Sequence, residues 1–171
     1  MNILSTNKDG FTLIELLVVT SLIGIAAGIA MPTFLNLRER ESLNSASKST
    51  VAWLDDLRRK AIQTSVPCTA TWDISDGMIS GRCGNETNPS STLNINEFNT
   101  KKGQQIDINM GASPTNWIFT PRGTSTTEAE AIFTLPNSDA VGRCIKLTAP
   151  LGLIRAAKRQ STGTCDYTTG F

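Results

Sequence analysis

Residues 10–31 read Gly10-Phe11-Thr12-Leu13-Ile14-Glu15-Leu16-Leu17-Val18-Val19-Thr20-Ser21-Leu22-Ile23-Gly24-Ile25-Ala26-Ala27-Gly28-Ile29-Ala30-Met31. The 21 residues after Gly10 hold a single charge, Glu15. A helix rises about 1.5 Å per residue, so this run reaches roughly 30 Å, the depth of a bilayer core. Ahead of it lies a short polar segment, residues 1–10, with Lys8 and Asp9; behind it come Pro32 and the charged run Arg38-Glu39-Arg40-Glu41. A secretory signal has a basic start, a shorter apolar run and a small-x-small cleavage site, and only Gly28-Ile29-Ala30 imitates the last feature. Glu15 points elsewhere, because a carboxylate inside an apolar run is costly and usually carries function. Its plainer role is to complement the positive end of a helix.

Gly10-Phe11-Thr12-Leu13-Ile14-Glu15-Leu16 resembles the class III leader motif of type IV pilins and type II secretion pseudopilins. The resemblance implies cleavage between Gly10 and Phe11 by a prepilin peptidase, then methylation of the new Phe11 amine. It also places a helix-loosening glycine and proline at Gly24 and Pro32. Physical chemistry supplies a role for Glu15. An amine at Phe11 buried among apolar helices needs a partner, and so does a buried carboxylate. Pairing the two, within one subunit or between neighbours, removes both penalties.

A second helical stretch follows Pro32. Leu43, Ala46, Thr50, Leu54, Leu57 and Ala61 recur at steps of three and four, which predicts a half-buried amphipathic helix. Arg58, Arg59 and Lys60 are expected as a solvated end that complements the macrodipole, and Val66-Pro67 stops the helix. Beyond it, 69–74 and 78–80 flank Ser75-Asp76-Gly77 as a hairpin. Residues 84–105 are a polar loop with a short strand at 93–98, and the sequon Asn85-Glu86-Thr87 within it is read as a chance match. Strands are expected at 106–110, 116–120 and 131–135. A final hairpin, 143–147 and 153–157, closes around Ala149-Pro150-Leu151-Gly152.

Composition narrows the chemistry. The 171 residues carry 16 Lys+Arg and 15 Asp+Glu, a net charge of +1, so any basic site is local. Histidine is absent, which excludes Ser-His, Cys-His and His-metal arrangements. No P-loop or dinucleotide fingerprint is present. Asp55 and Asp56 diverge on a helix, and Asp107 with Asn109 is too few oxygens for calcium. No catalytic residue, metal site or cofactor is expected, and the chain reads as a non-enzyme. Cys68, Cys83, Cys144 and Cys165, at spacings of 15, 61 and 21, match no zinc pattern and imply two disulfides in an oxidising compartment. Three pairings are open. Cys68 and Cys83 bracket the first hairpin, so the local pairing, with Cys144 to Cys165, is the expectation.

The head narrows the resemblance. Trp53 to Ile62, the turn Phe119-Thr120-Pro121-Arg122-Gly123, and Gly142-Arg143-Cys144-Ile145-Lys146-Leu147 with Gly152-Leu153-Ile154-Arg155 resemble GspH/FimT-type minor pilins. The implied fold is α+β: a long N-terminal helix packed on a β-rich pilin-like head. The expected organisation is a leader at 1–10, a transmembrane and filament-core helix at 11–35, an amphipathic helix at 36–65 and a head with two disulfides at 66–171. The implied function is a minor pilin of a type IV pilus, inserted in the bacterial inner membrane with its head outside the cytoplasm, then assembled into a filament. Implied partners are other pilin or pseudopilin subunits, the prepilin peptidase and an inner-membrane assembly platform. The alternative is a type II secretion pseudopilin.

Some FimT-type pilins take up DNA through a G-R-x-R stretch in the closing hairpin; here one of the two arginines is Leu153. Between 143 and 165 stand Arg143, Lys146, Arg155, Lys158 and Arg159 with no acidic residue. The first reading of these five is a strand edge blunted by charge. The second is weak phosphate binding at a pilus tip, with about three contacts and a log-log salt slope near −3.

Overall fold

The computed structural model describes residues 10–99, 103–138, 140–160 and 162–168, and the side chains at 29–33 and 35 lie outside that description. The leader residues 1–9, including Lys8, are likewise outside it, as are Lys101 and Lys102. The chain divides between Leu35 and Asn36 into two compact units. One helix, α1 (Leu13–Thr64), contributes to both.

In the first unit, α1 begins with a hydrogen-bonded cap. Thr12 precedes the first helical residue, and its Oγ1 accepts the Glu15 N–H at 3.3 Å. The Glu15 carboxylate reaches back to accept the Thr12 N–H at 3.4 Å. This is a reciprocal capping box, two orphan donors satisfied by two side chains. Downstream, Thr20 and Ser21 turn their hydroxyls onto the Leu17 carbonyl at 3.0 and 2.8 Å. Neither hydroxyl is left as a bare polar group on an apolar rod. α1 remains helical through Gly24 and Pro32. Among the described residues no helix is long and apolar enough to cross a membrane. The apolar run read from the sequence, 11–31, continues past Gly28 into positions whose side chains are not described.

In the second unit, α1 buries Leu43, Ala46, Thr50, Leu54, Leu57 and Ala61, the three-and-four stripe expected from the sequence, and Ser47 beside them. Two antiparallel sheets complete the unit. The first runs β3-β2-β1-β5, from β1 (Cys68–Asp73), β2 (Met78–Cys83), β3 (Ser91–Asn94) and β5 (Asn116–Phe119). The second runs β4-β6-β7-β8-β9, from β4 (Asp107–Asn109), β6 (Ala129–Thr134), β7 (Arg143–Thr148), β8 (Leu153–Arg159) and β9 (Cys165–Asp166). One core takes in the buried face of the helix and both sheets. At its centre Trp72 of β1 lies 4.9 Å from Trp117 of β5 and 6.1 Å from Phe133 of β6, ring to ring. Aromatic contacts therefore join the two sheets.

The first hairpin has the expected register, with Cys68 opposite Cys83 and Asp73 opposite Met78. Asp73 accepts hydrogen bonds from Ser75 N, Ser75 Oγ and Asp76 N, and these bonds, the Ser75 hydroxyl foremost, hold its carboxyl below the usual range. The expected strand at 93–98 divides in two. Ser91–Asn94 pairs with β2, and Ile95–Phe98 winds into a 3-10 turn because the Asn94 side chain accepts the Asn96 N–H and caps it. Cys68–Cys83 and Cys144–Cys165 are the two disulfides.

Two expectations change. Arg58 is not a solvated helix end: its Nε donates to the Gly123 carbonyl at 2.6 Å and its Nη2 to the Leu151 carbonyl at 3.5 Å. The helix continues to Thr64, and its last turn holds no basic residue. The C-terminal segment, left without a strand in the sequence reading, supplies β9 and then Tyr167. The Tyr167 hydroxyl donates to Glu130 of β6 at 2.9 Å. Burial, with Glu130 as its acceptor and neighbouring charge, holds this phenol above its ordinary value.

Tyr167 is the one tyrosine of the chain, so it reports on this segment by itself. The folded state prefers the protonated phenol. Its contribution is complete below the unfolded pKa of about 10 and is lost only as pH rises past the higher folded value. The native chain should show no phenolate absorbance near pH 10, where the unfolded chain titrates. A native phenolate rise at the ordinary pH would mean that Tyr167 is not held against β6.

Candidate assembly site

The residues singled out from the sequence fall into two groups. Those at the start of α1 lie together. Phe11 is 83% exposed, and Phe11, Glu15, Leu16, Val19 and Thr20 line one groove along the first turns. Leu13, Ile14, Leu17, Val18, Leu22, Ile23 and Ile25 are exposed around the rest of the helix. Apolar side chains are therefore exposed all round these turns. Gly24 has nothing within 4 Å of where a Cβ would stand, and neither has Gly28. No packing inside the described chain requires a glycine at either position. They stand four residues apart, a spacing that lets helix backbones approach closely in membranes.

Glu15 is the chemically distinctive group. Its carboxylate is exposed and, among the described residues, accepts one hydrogen bond, from the Thr12 N–H. A carboxylate has about four acceptor positions, so it retains capacity for an amine. The capping role of Thr12 is legible in the T-x-x-E spacing of Thr12 and Glu15.

The five basic residues of the closing hairpin do not form one surface. Arg143 is 4% exposed and belongs to the core. Its Nε donates to Asn44 Oδ1 at 2.6 Å, and its Nη1 donates to the Val141 and Gly142 carbonyls at 2.8 and 3.2 Å. Burial, and then the Arg40 charge, lower its pKa, with Glu41 opposing. Its expected part in a phosphate patch is corrected: this guanidinium ties β7 to α1. Lys146 pairs with Glu128 at 3.2 Å. Arg159 donates from Nε to Gly163 O at 3.2 Å. Arg155 stands opposite Lys146 in register and is exposed, whereas Lys158 stands opposite Arg143, on the other face of β8. Glu130, Cys144 and Cys165 also come together, but both sulfurs are joined in the disulfide and offer no thiolate to a metal.

The N-terminal segment, residues 5–31, matches the model of the prokaryotic N-terminal methylation motif. The fold is similar to two solved proteins. The type IV minor pilin FimU of Pseudomonas aeruginosa aligns over 76% of this chain and 96% of its own, at TM-score 0.55 and 17% identity. The chain combines a match to the prokaryotic N-terminal methylation motif with a pilin-like fold. The minor pseudopilin EpsH of the Vibrio cholerae type 2 secretion system aligns over 68% of this chain and 97% of its own, at TM-score 0.51 and 12% identity. No curated protein sequence matches the chain. The expected α+β pilin-like fold is the fold observed.

Proposed function

We propose that the chain is a structural subunit, a minor pilin of a type IV pilus, whose mature form starts at Phe11 and assembles through α1. The observation that carries this reading is the start of α1. An exposed carboxylate sits at the cap of a helix whose apolar side chains are exposed all round. Before assembly the anchor rests in the inner membrane with the head outside the cytoplasm, where disulfides form. A prepilin peptidase cuts after Gly10, and an assembly platform draws the subunit into the filament. On entry, Glu15 meets a Phe11 amine and each charge loses its desolvation penalty. The loosening implied at Gly24 and Pro32 belongs to the assembled filament. The role is assembly, not catalysis.

A pseudopilin of a type II secretion system uses the same parts, and EpsH supports that second reading on fold. A deletion strain separates the two. Loss of piliation or twitching supports the pilus subunit. Loss of exoprotein export supports the pseudopilin. A strain normal in both sinks the filament reading.

Among the described residues, the five hairpin cations give the DNA-receptor reading little support. With Arg143 in the core and Lys146 paired to Glu128, the exposed cations Arg155 and Lys158 face opposite ways. Each phosphate contact adds a log-log salt slope of about −0.9, so a titration with duplex DNA at two salt concentrations should give a slope no steeper than about −2. A slope of about −3 or steeper, made shallower by about 0.9 in Arg155→Gln, would restore the receptor.

A further inference from the structure

Glu130, Cys144 and Cys165 converge although the spacing of the cysteines along the chain fits no zinc pattern. Three strands bring them together. In the β6–β7 register Cys144 stands opposite Ile132 and Glu130 opposite Lys146, so Glu130 and Cys144 are diagonal neighbours on one face. Cys165 comes from β9, and its disulfide joins that strand to β7. A carboxylate oxygen and both sulfurs lie within 4.8 Å of one another. Cys144 is buried, and Glu130 and Cys165 are half-buried. Lys146, the cation opposite Glu130 in register, pairs with Glu128 instead. The Tyr167 hydroxyl donates to Glu130 Oε1 at 2.9 Å and steadies the carboxylate without a charge. Among the described residues, Cys68 and Cys83 have no carboxylate gathered with them in this way.

The disulfide denies both sulfurs to a metal. Every cysteine nevertheless enters the chain as a thiol, and the pair stays a dithiol until the S–S bond forms. We propose that this reduced form binds one zinc ion through Cys144, Cys165 and Glu130, and that the ion fastens β9 to β7 in place of the disulfide. Two thiolates, a carboxylate and a water make a four-coordinate zinc set, whereas calcium and magnesium take oxygen ligands. Tetrahedral ligands at about 2.0–2.3 Å from zinc stand roughly 3.3–3.8 Å apart. The three ligand atoms already lie within 4.8 Å, so small side-chain movements complete the set. Tyr167 supplies the outer hydrogen bond that ligating carboxylates carry. Binding releases the two thiol protons. Metal and disulfide are alternatives for the same two sulfurs. A disulfide-bearing oxidant takes the electron pair from the two thiolates, gains two protons from solvent to become a dithiol, and frees the zinc as the Cys144–Cys165 bond forms. Until then the ion keeps the native pair together.

The test uses the full chain, solubilised from membranes and reduced with a phosphine. Phosphorus gives the electron pair that breaks the S–S bond and gains an oxygen from water, and each sulfur gains a proton. After anaerobic desalting, zinc is titrated against a chromophoric chelator. The reduced chain should bind a single ion, and the oxidised chain none. Zinc should slow iodoacetamide alkylation of Cys144 and Cys165 by about tenfold or more, and leave Cys68 and Cys83 at their metal-free rate, read by peptide mass. Glu130→Gln should weaken binding by about tenfold or more. Cobalt in place of zinc should show thiolate charge-transfer absorption. No retained ion, equal binding by Glu130→Gln and wild type, protection of Cys68 and Cys83 instead, or equal binding by the oxidised chain overturns the proposal.

Discussion

Glu15→Leu should leave the chain in the membrane and remove it from filaments. A charge at membrane depth is removed, so insertion improves by about 2–3 kcal/mol on translocon scales. Assembly loses the partner of the Phe11 amine, and an uncompensated buried charge costs about 3–5 kcal/mol, a hundredfold or more in incorporation. Loss of the Thr12–Glu15 cap contributes about 1 kcal/mol at most, in an exposed first turn, so capping alone does not account for such a loss. Thr12→Ala separates the two roles. It removes the cap acceptor, keeps the carboxylate, and should retain most incorporation. Abundance in sheared filaments against abundance in membranes measures both variants. Equal filament abundance of Glu15→Leu and wild type would leave Glu15 as a cap residue only.

Gly152→Ala should destabilise the folded head by about 3 kcal/mol or more. Gly152 has φ +66°, and a side chain in that conformation costs about 1–2 kcal/mol. An added Cβ would also stand 2.5 Å from the Gly123 carbonyl oxygen and 3.1 Å from the Thr124 carbonyl carbon, both backbone. Neither can rotate away. The same oxygen accepts the Arg58 Nε bond, so moving it loosens the turn from the helix as well. Gly123 is held in the same way, at φ +75° with its Cβ position 2.7 Å from Ile62 Cδ1, a flexible side-chain end that gives way more easily. Gly152→Ala should therefore be the worse of the two. For a unit of this size the loss corresponds to a fall of about 10 °C in the unfolding midpoint. Thermal unfolding of both variants beside wild type checks the ranking. A Gly152→Ala chain within about 1 °C of wild type would mean that the two turns do not touch as described.

Local chemistry was the part of the molecule legible in the sequence. Ser75-Asp76-Gly77 carries its own turn, because the Asp73 carboxylate and Gly77 act within five residues. The α1 stripe from Leu43 to Ala61 shows the helical period directly. Cys68 and Cys83 bracket a hairpin, so their pairing follows from its register. What the sequence hid depends on partners far along the chain. Arg58 finds Gly123 at a separation of 65 residues, and Arg143 finds Asn44 at 99. Alternation along β7 separates Arg143 from Lys146 but does not say which faces the core, and an arginine inside contradicts the usual preference. Its bonds to Asn44 and two carbonyls make burial tolerable, and none of them is a sequence neighbour's side chain. β9 has two residues and no periodicity to read; it exists because Cys165 is fastened to Cys144 and Tyr167 reaches Glu130.

The Thr12–Glu15 box lies between these cases. Its spacing is readable and Glu15 reads as a complement to the helix end; the reciprocal bond with Thr12 is what the structure adds. The cap uses one acceptor position of the Glu15 carboxylate, so the cap and the proposed pairing with an amine are compatible.

The mass of the mature N-terminal peptide tests the central claim most directly. Chain recovered from membranes and from sheared filaments should begin at Phe11 and carry one added methyl group on its amine, and Gly10→Val should abolish that product. A mature start near Met31, or an unprocessed Met1 in the filament fraction, would contradict it.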